Sequence, residues 1–460
     1  MAIMGRLLWR DPFWNGKRKP FVIAVVGSAV SLLLLFLGTM SYLYGSLYHD
    51  GSRVKALNIL AVDLDEGIIG QSLFTAYAAL QGDDFPTLHF HSRAEFATVD
   101  DIRHAVCKGD YWGAIFAQDG ASTRLANALR GGDAARDYNA SNTLTYVWNG
   151  VRYPTVQTGY IGANMETLIG AATGVYNAIN GTVAASTINT NDRNAVLALL
   201  NPITSSNINI MPTEQGSRVV YNSVSIVMPI VQQFFFLMAL NGISNQFNVY
   251  GRLNSKRIGI LRFFLSITYT FLASLSLVGY VWAFREDWGV NRNQFALSWM
   301  VMWLYMHVNF VVLDTATAFI PVSFLTFFVL TWVILNVTST IMPFEFSPGF
   351  YRWGYSLPAH NAVSILWQVW SGGCNNQLAR ALPVLFTWEV FGTIAAIFGS
   401  MKRNRAAQKD LMSSQDESSV LTSGADMMEE PKTRSGAGPG LPVPWADAIY
   451  MPVLARNRTV

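Results

Sequence analysis

Residues 21–44 read FVIAVVGSAVSLLLLFLGTMSYLY, a run of 24 with no charged side chain. A helix needs about 20 apolar residues to cross the hydrocarbon core of a bilayer, so this stretch is long enough to span one. It follows Lys17, Arg18 and Lys19. It outruns a signal-peptide core of about 7–15 residues, and no A-x-A-like cleavage site follows closely, which makes it an uncleaved signal anchor. Working outward, five further apolar runs lie at 219–244, 261–284, 296–313, 318–342 and 382–401. The last contains Glu389 and is the weakest by hydropathy.

Composition agrees with this reading. The chain has 460 residues, of which 51% are hydrophobic and 13% charged, and its mean hydropathy is +0.26. A soluble domain carries about 25% charged residues. A net charge of +3 gives no electrostatic case for nucleic acid. Two cysteines, Cys107 and Cys374, exclude a disulfide-rich scaffold and a zinc site built from repeated CxxC pairs.

Lys and Arg near the span ends set the expected orientation. With a cytoplasmic N-terminus, the inner side collects Arg6, Arg10, Lys17, Arg18, Lys19, Arg252, Lys256, Arg257, Arg262, Lys402, Arg403 and Arg405. The outer side holds Arg53, Lys55, Arg218, Arg285, Arg292, Arg352 and Arg380. That bias of twelve to seven puts both termini in the cytoplasm and residues 45–218 outside. The sequons at Asn139 and Asn180 then fall on the side where glycosylation occurs. Both cysteines fall on the oxidising side as well. A Cys107–Cys374 bridge would tie the outer domain to the last outer loop, and two unrelated thiols are the other reading.

Within that domain, ALNILAVD at 56–63 reads as a buried strand, with further strands at 87–91, 111–117 and 144–148. Helical spacing runs over 70–80, 98–108 with Thr98 as a cap, 121–130, 155–186 and 192–200. This alternation predicts a small α/β or α+β domain. The segment 343–373 has three prolines and many aromatics but few charges. It suits short helices dipping into the outer leaflet, anchored by Trp353, Trp367 and Trp370. Residues 6–14 read either as an interfacial elbow or as an unstructured terminus. From about Ala406 the chain is rich in Ser, Gly and Pro and is expected to be disordered.

The chemistry is sparse. There is no G-x-x-x-x-G-K-[ST], H-E-x-x-H or G-x-S-x-G, so no catalytic function, metal or cofactor is expected. Asp63 and Asp65 form a D-x-D at a strand end, better read as a capped strand-to-helix turn than as a metal or glycosyl-donor site. His89, His91 and His104 lack a matching carboxylate or cysteine pattern and read as ordinary surface or core residues. Polar groups inside spans say more. A carboxylate at mid-span costs about 2.5–3.5 kcal/mol on insertion scales, so Glu389 is expected to face the bundle interior or a wet cavity. Glu389, His307 and Asn309 together form the candidate intramembrane site, for a solute or a proton. Asp314 is placed at the inner water interface.

Four stretches carry a family likeness: NILAVDLDEGIIGQ (58–71), GDYWGAIFA (109–117), RYPTVQTGYI (152–161) and SPGFYRWGYSLPAHNAV (347–363). With the order of one span, a large outer domain and five more spans, the chain resembles the fungal nitrosoguanidine-resistance family of multi-pass membrane proteins. That family is itself similar to the membrane subunits of type-2 ABC exporters. The resemblance implies fungal origin and a part in resistance to toxic compounds, by export or by control of membrane lipid organisation. It carries no catalytic residues. It also implies a homodimer or, since this chain has no P-loop, a separate ATPase partner.

The expected fold is a membrane all-α bundle of six transmembrane helices, with an extracytoplasmic α/β domain inserted between helices 1 and 2. Residues 1–20 form the cytoplasmic N-terminus, 21–44 helix 1, 45–218 the outer domain, 219–401 the five-helix membrane domain with its interfacial segment 343–373, and 402–460 the cytoplasmic tail. The expected partners are membrane lipid and an amphipathic small-molecule substrate, in the plasma membrane ahead of an endomembrane. A non-transporting scaffold whose outer domain binds a partner is the alternative.

Overall fold

A computed structural model describes residues 10–213 and 220–425. Residues 6–9 of the expected elbow, the domain boundary at 218–219 and the tail from 426 lie outside the described residues. Among the described residues, six helices are long and apolar enough to cross a membrane.

The first of these is α1, Arg18–Ser46. Leu32, Leu33, Leu34 and Leu37 in its middle are exposed, as lipid-facing surface would be. Then follow β1 (Asn58–Asp63), α2 (Ile68–Leu80), β2 (Thr87–His91), α3 (Val99–Lys108) and β3 (Gly113–Ala117). After α4 (Ala121–Leu129) and α5 (Asp133–Arg136) come β4 (Leu144–Trp148), α6 (Pro154–Val156), α7 (Ala163–Thr187), α8 (Arg193–Leu200) and β5 (Ser205–Asn209). The five strands form one sheet in the order β2-β1-β3-β4-β5. All neighbours are parallel except β3 and β4. Strand alternation builds a core on each face. Ile59 and Ala61 pack with Leu73 of α2 and Leu168 of α7, while Leu60 and Val62 pack with Ile102 and Val106 of α3. Thr98 caps α3 in a reciprocal capping box with Asp101, which satisfies two otherwise orphaned N–H groups.

The remaining spans are α9 (Val224–Gln246), α11 (Ser255–Ala283), α12 (Arg292–Phe319), α13 (Val322–Ile341) and α15 (Leu378–Ala425), with short α10 (Val249–Arg252) between the first two. Helix α12 is the centre of the bundle, touching α9, α11, α13 and α14 (Pro358–Trp370). Residues up to Ala407 form one unit, and α15 from Gln408 onward belongs to a second.

Three expectations need correction. Helix α15 continues to Ala425, so the chain keeps helical structure well past 402–406. The polar strand β5, SSNIN, went unread because nothing in it alternates apolar with polar. In segment 343–373 two of the three expected tryptophan anchors are buried. Eleven of the thirteen residues of α14 are buried, with Trp367 and Trp370 in the protein interior and Trp353 alone of the three tryptophans exposed. Protein interior and lipid are both apolar, so composition could not separate the two.

Candidate functional site

Helix periodicity puts His307 and Asp314 on one face of α12, since seven residues make two turns and a rise of roughly 10 Å. Facing them, α11 supplies Ser266 and Arg262, one turn apart. Helix α15 supplies Glu389 and Arg403. Two glycines let α15 come close enough: a Cβ added at Gly392 would lie 2.5 Å from Val311 Cγ2, and one at Gly399 would lie 2.8 Å from Ala318 Cβ.

The result is a polar seam with two levels. At the first, His307 Nδ1 meets Glu389 Oε1 at 2.7 Å and His307 Nε2 meets Ser266 Oγ at 3.0 Å. Thr393 Oγ1 donates to Glu389 Oε1 at 3.2 Å. The second carboxylate oxygen, Oε2, is buried with no hydrogen-bond partner. At the second level Asp314 is bonded by Arg262 and by Arg403, the latter at 2.9 Å. Arg403 also donates to the Asp314 carbonyl. Arg262 reaches Tyr250 Oη and Asn241 Oδ1 as well, and Arg262 and Asp314 are both buried.

The structure thus brings Glu389 and His307 together but leaves Asn309 out. Two residues along a helix turn the side chain about 200° away. Asn309 accepts from Trp332 Nε1 at 2.9 Å and donates to the Tyr305 carbonyl at 2.8 Å. Asp314 is not at a water interface. It is the centre of a buried ion cluster, and Arg262 and Arg403 are members of it rather than flanking charges.

In the α/β domain the D-x-D is engaged by its own turn and by Ser122 of α4. Asp63 Oδ1 accepts from the backbone N–H of Asp65 and of Glu66, both at 3.0 Å. Asp65 accepts from Ser122 N at 2.9 Å and from the Ser122 hydroxyl. Burial raises the Asp63 carboxyl above its ordinary range, against the two backbone bonds. A side chain at Gly70 would collide with that carboxylate, so α2 seats directly on it. His89 contacts Asn58, and His91 lies between Glu95 and Tyr111. His104 is exposed on α3. No three-residue metal cluster occurs among the described residues.

Asn139 is exposed, whereas Asn180 is half-buried in α7 with its amide donating to Tyr176 at 3.0 Å. Cys107, in α3, and Cys374, just before α15, form a disulfide. Around it the domain and bundle are joined by Asn375 N–H to the Cys107 carbonyl at 2.6 Å, with Tyr153 against Trp367 at 4.2 Å between ring centres. Nearby, His360 of α14 is buried, with its imidazole pushed down to about 4 by desolvation despite a bond to the Ser339 carbonyl.

No solved structure matches the chain. Among curated proteins, an uncharacterized endoplasmic reticulum membrane protein of Saccharomyces cerevisiae is 25% identical over 181 residues, which is 36% of this chain and 36% of that protein. The family described as Protein of unknown function (DUF3533) matches residues 28–394, a stretch running from within α1 into α15, and this multi-pass membrane chain belongs to that family.

Proposed function

We propose that the protein moves, or helps move, a lipid or another amphipathic compound across its membrane, with the Glu389–His307 pair as a proton-responsive element. The single observation that carries this reading is the pair itself, 2.7 Å apart inside the bundle and with Glu389 Oε2 unpartnered. A carboxylate and an imidazole within spans are expensive to insert. Helix–helix adhesion repays only about 0.6 kcal/mol per polar contact on average, so adhesion alone is a poor reason to keep them. The likeness to the nitrosoguanidine-resistance family agrees with this role, and the energy would come from a partner ATPase or from protons.

The α/β domain is taken to face the extracytoplasmic side, because a disulfide is stable in an oxidising compartment. The yeast relative is named as an endoplasmic reticulum protein, which favours an endomembrane over the plasma membrane. The test is lipid scrambling or solute transport in vesicles holding only this protein, with and without nucleotide and a pH gradient. Glu389→Gln should abolish the pH dependence at normal protein levels. Unchanged transport in both Glu389→Gln and Glu389→Ala would remove the pair from the mechanism.

A scaffold function has one observation in its favour. The disulfide and the Tyr153–Trp367 contact fix the domain on the bundle, as a presenting platform requires. Full function of the domain on an unrelated anchor would decide for that reading.

A further inference from the structure

An apolar cleft opens at the end of the bundle that carries the α/β domain, away from the polar seam. It is narrow, a cavity of about 30 Å³ open at its mouth, so a ligand would lie along it rather than be enclosed by it. Its walls come from four helices, with Ile226 of α9, Leu277 and Val281 of α11, Met302 of α12 and Leu366 of α14. Such walls suit one alkyl chain.

Trp288 and Arg285 stand out among the polar groups that line the cleft. Trp288, in the loop between α11 and α12, is 6% exposed, and its indole N–H is buried with no hydrogen-bond partner. An unmade bond at a buried donor costs about 1–3 kcal/mol, so this N–H is a vacancy for an acceptor oxygen. Arg285 also lines the cleft. Its guanidinium lies 3.9 Å from the Trp282 ring centre and donates to the Trp282 carbonyl, yet it forms no ion pair among the described residues. An apolar slot, an orphan N–H and a guanidinium that forms no ion pair among the described residues, despite Glu286 and Asp287 beside it in the chain, together describe an amphiphile with an anionic head.

We infer that this cleft binds one acyl chain of an anionic phospholipid, with head-group oxygens accepting hydrogen bonds from Trp288 Nε1 and Arg285. The proposal does not depend on the bundle conducting anything, because its test reads binding alone. The full chain is reconstituted in nanodiscs with phosphatidylglycerol or phosphatidylcholine carrying a photoreactive group in one acyl chain, and the adducts are mapped by peptide mass spectrometry. Labelling should fall on peptides covering Leu277 to Met302 and Leu366, and should favour the anionic lipid. Arg285→Gln should weaken anionic-lipid labelling about tenfold, the loss of one charge-assisted bond, and leave the choline lipid little changed. Met302→Trp, which fills the slot, should abolish both. If Met302→Trp fails to fold, competition by unlabelled anionic lipid on the natural chain gives the same reading. Adducts spread evenly over all spans and insensitive to competitor would overturn the proposal. So would an adduct joining two copies of the chain through the cleft, which would give the site to a second copy. Equal labelling by both lipids, unmoved by Arg285→Gln, would overturn the anionic head.

Discussion

Asp314 holds two guanidinium groups, Arg262 buried beside it and Arg403 at the rim. Removing one member of a buried pair leaves an uncompensated charge, and such losses run to about 3–5 kcal/mol. Asp314→Asn should therefore lower the midpoint of thermal unfolding in detergent much further than Arg403→Gln, since Arg403 sits at the rim with its side chain 12% exposed. Equal, small shifts would mean that water reaches the cluster. The sequence held a usable signal for this pair. Arg262 lies 21 residues before Ala283, and Asp314 lies 22 residues after Arg292, so an antiparallel α11–α12 hairpin sets opposite charges at one depth. Reading both as flanking charges hid it. His360 makes a second residue-scale case. Its folded pKa of about 4 lies below the ordinary 6.5, so the unfolded chain binds more protons between those values. Stability is then full above about 6.5 and falls as pH drops toward 4, by roughly 3 kcal/mol from this group. Unfolding midpoints measured from pH 7 to 4 should drop more steeply for the natural chain than for His360→Gln. Parallel curves would sink the assignment.

Helices α12 and α15 meet through small residues, and that contact sets the distance between His307 and Glu389. Gly392 is one turn from Glu389 and touches Val311. Its missing side chain is what lets the helices approach, as at other membrane interfaces built on small residues. Gly392→Leu should push α15 off α12, destabilise the bundle by about 1–3 kcal/mol and, on the transport reading, mimic Glu389→Gln without touching either side chain of the pair. Normal pH dependence in Gly392→Leu would show that the glycine does not set the pair. Much at this scale was legible beforehand. The expected strands 87–91 and 144–148 match β2 and β4, because β-branched and aromatic runs bounded by turn residues carry their own signal. Asn309 failed for a reason of geometry. Inclusion by polarity ignored its place on the far side of α12 from His307, where Trp332 donates to it.

At the scale of the molecule, one covalent bond joins the sheet domain to the bundle across 267 residues of sequence. Its two cysteines were the pair the sequence offered, yet pairing needs Cα atoms within about 7 Å, and no spacing rule brings α3 beside the loop before α15. Tertiary structure does so, at a Cα separation of 4.5 Å. The bond also bears on which side of the membrane the domain occupies. On an oxidising side, maleimide should not label the unfolded, unreduced chain, because no free cysteine remains, and reduction should expose two thiols. The sequons give an independent readout of the same question. Asn139 is exposed, whereas Asn180 lies within α7 with its amide engaged by Tyr176. Endoglycosidase should therefore remove a single glycan, which Asn139→Gln abolishes and Asn180→Gln leaves in place. Two free thiols before reduction, together with no mobility shift on endoglycosidase treatment, would put the domain in the cytoplasm and reverse the orientation of every span.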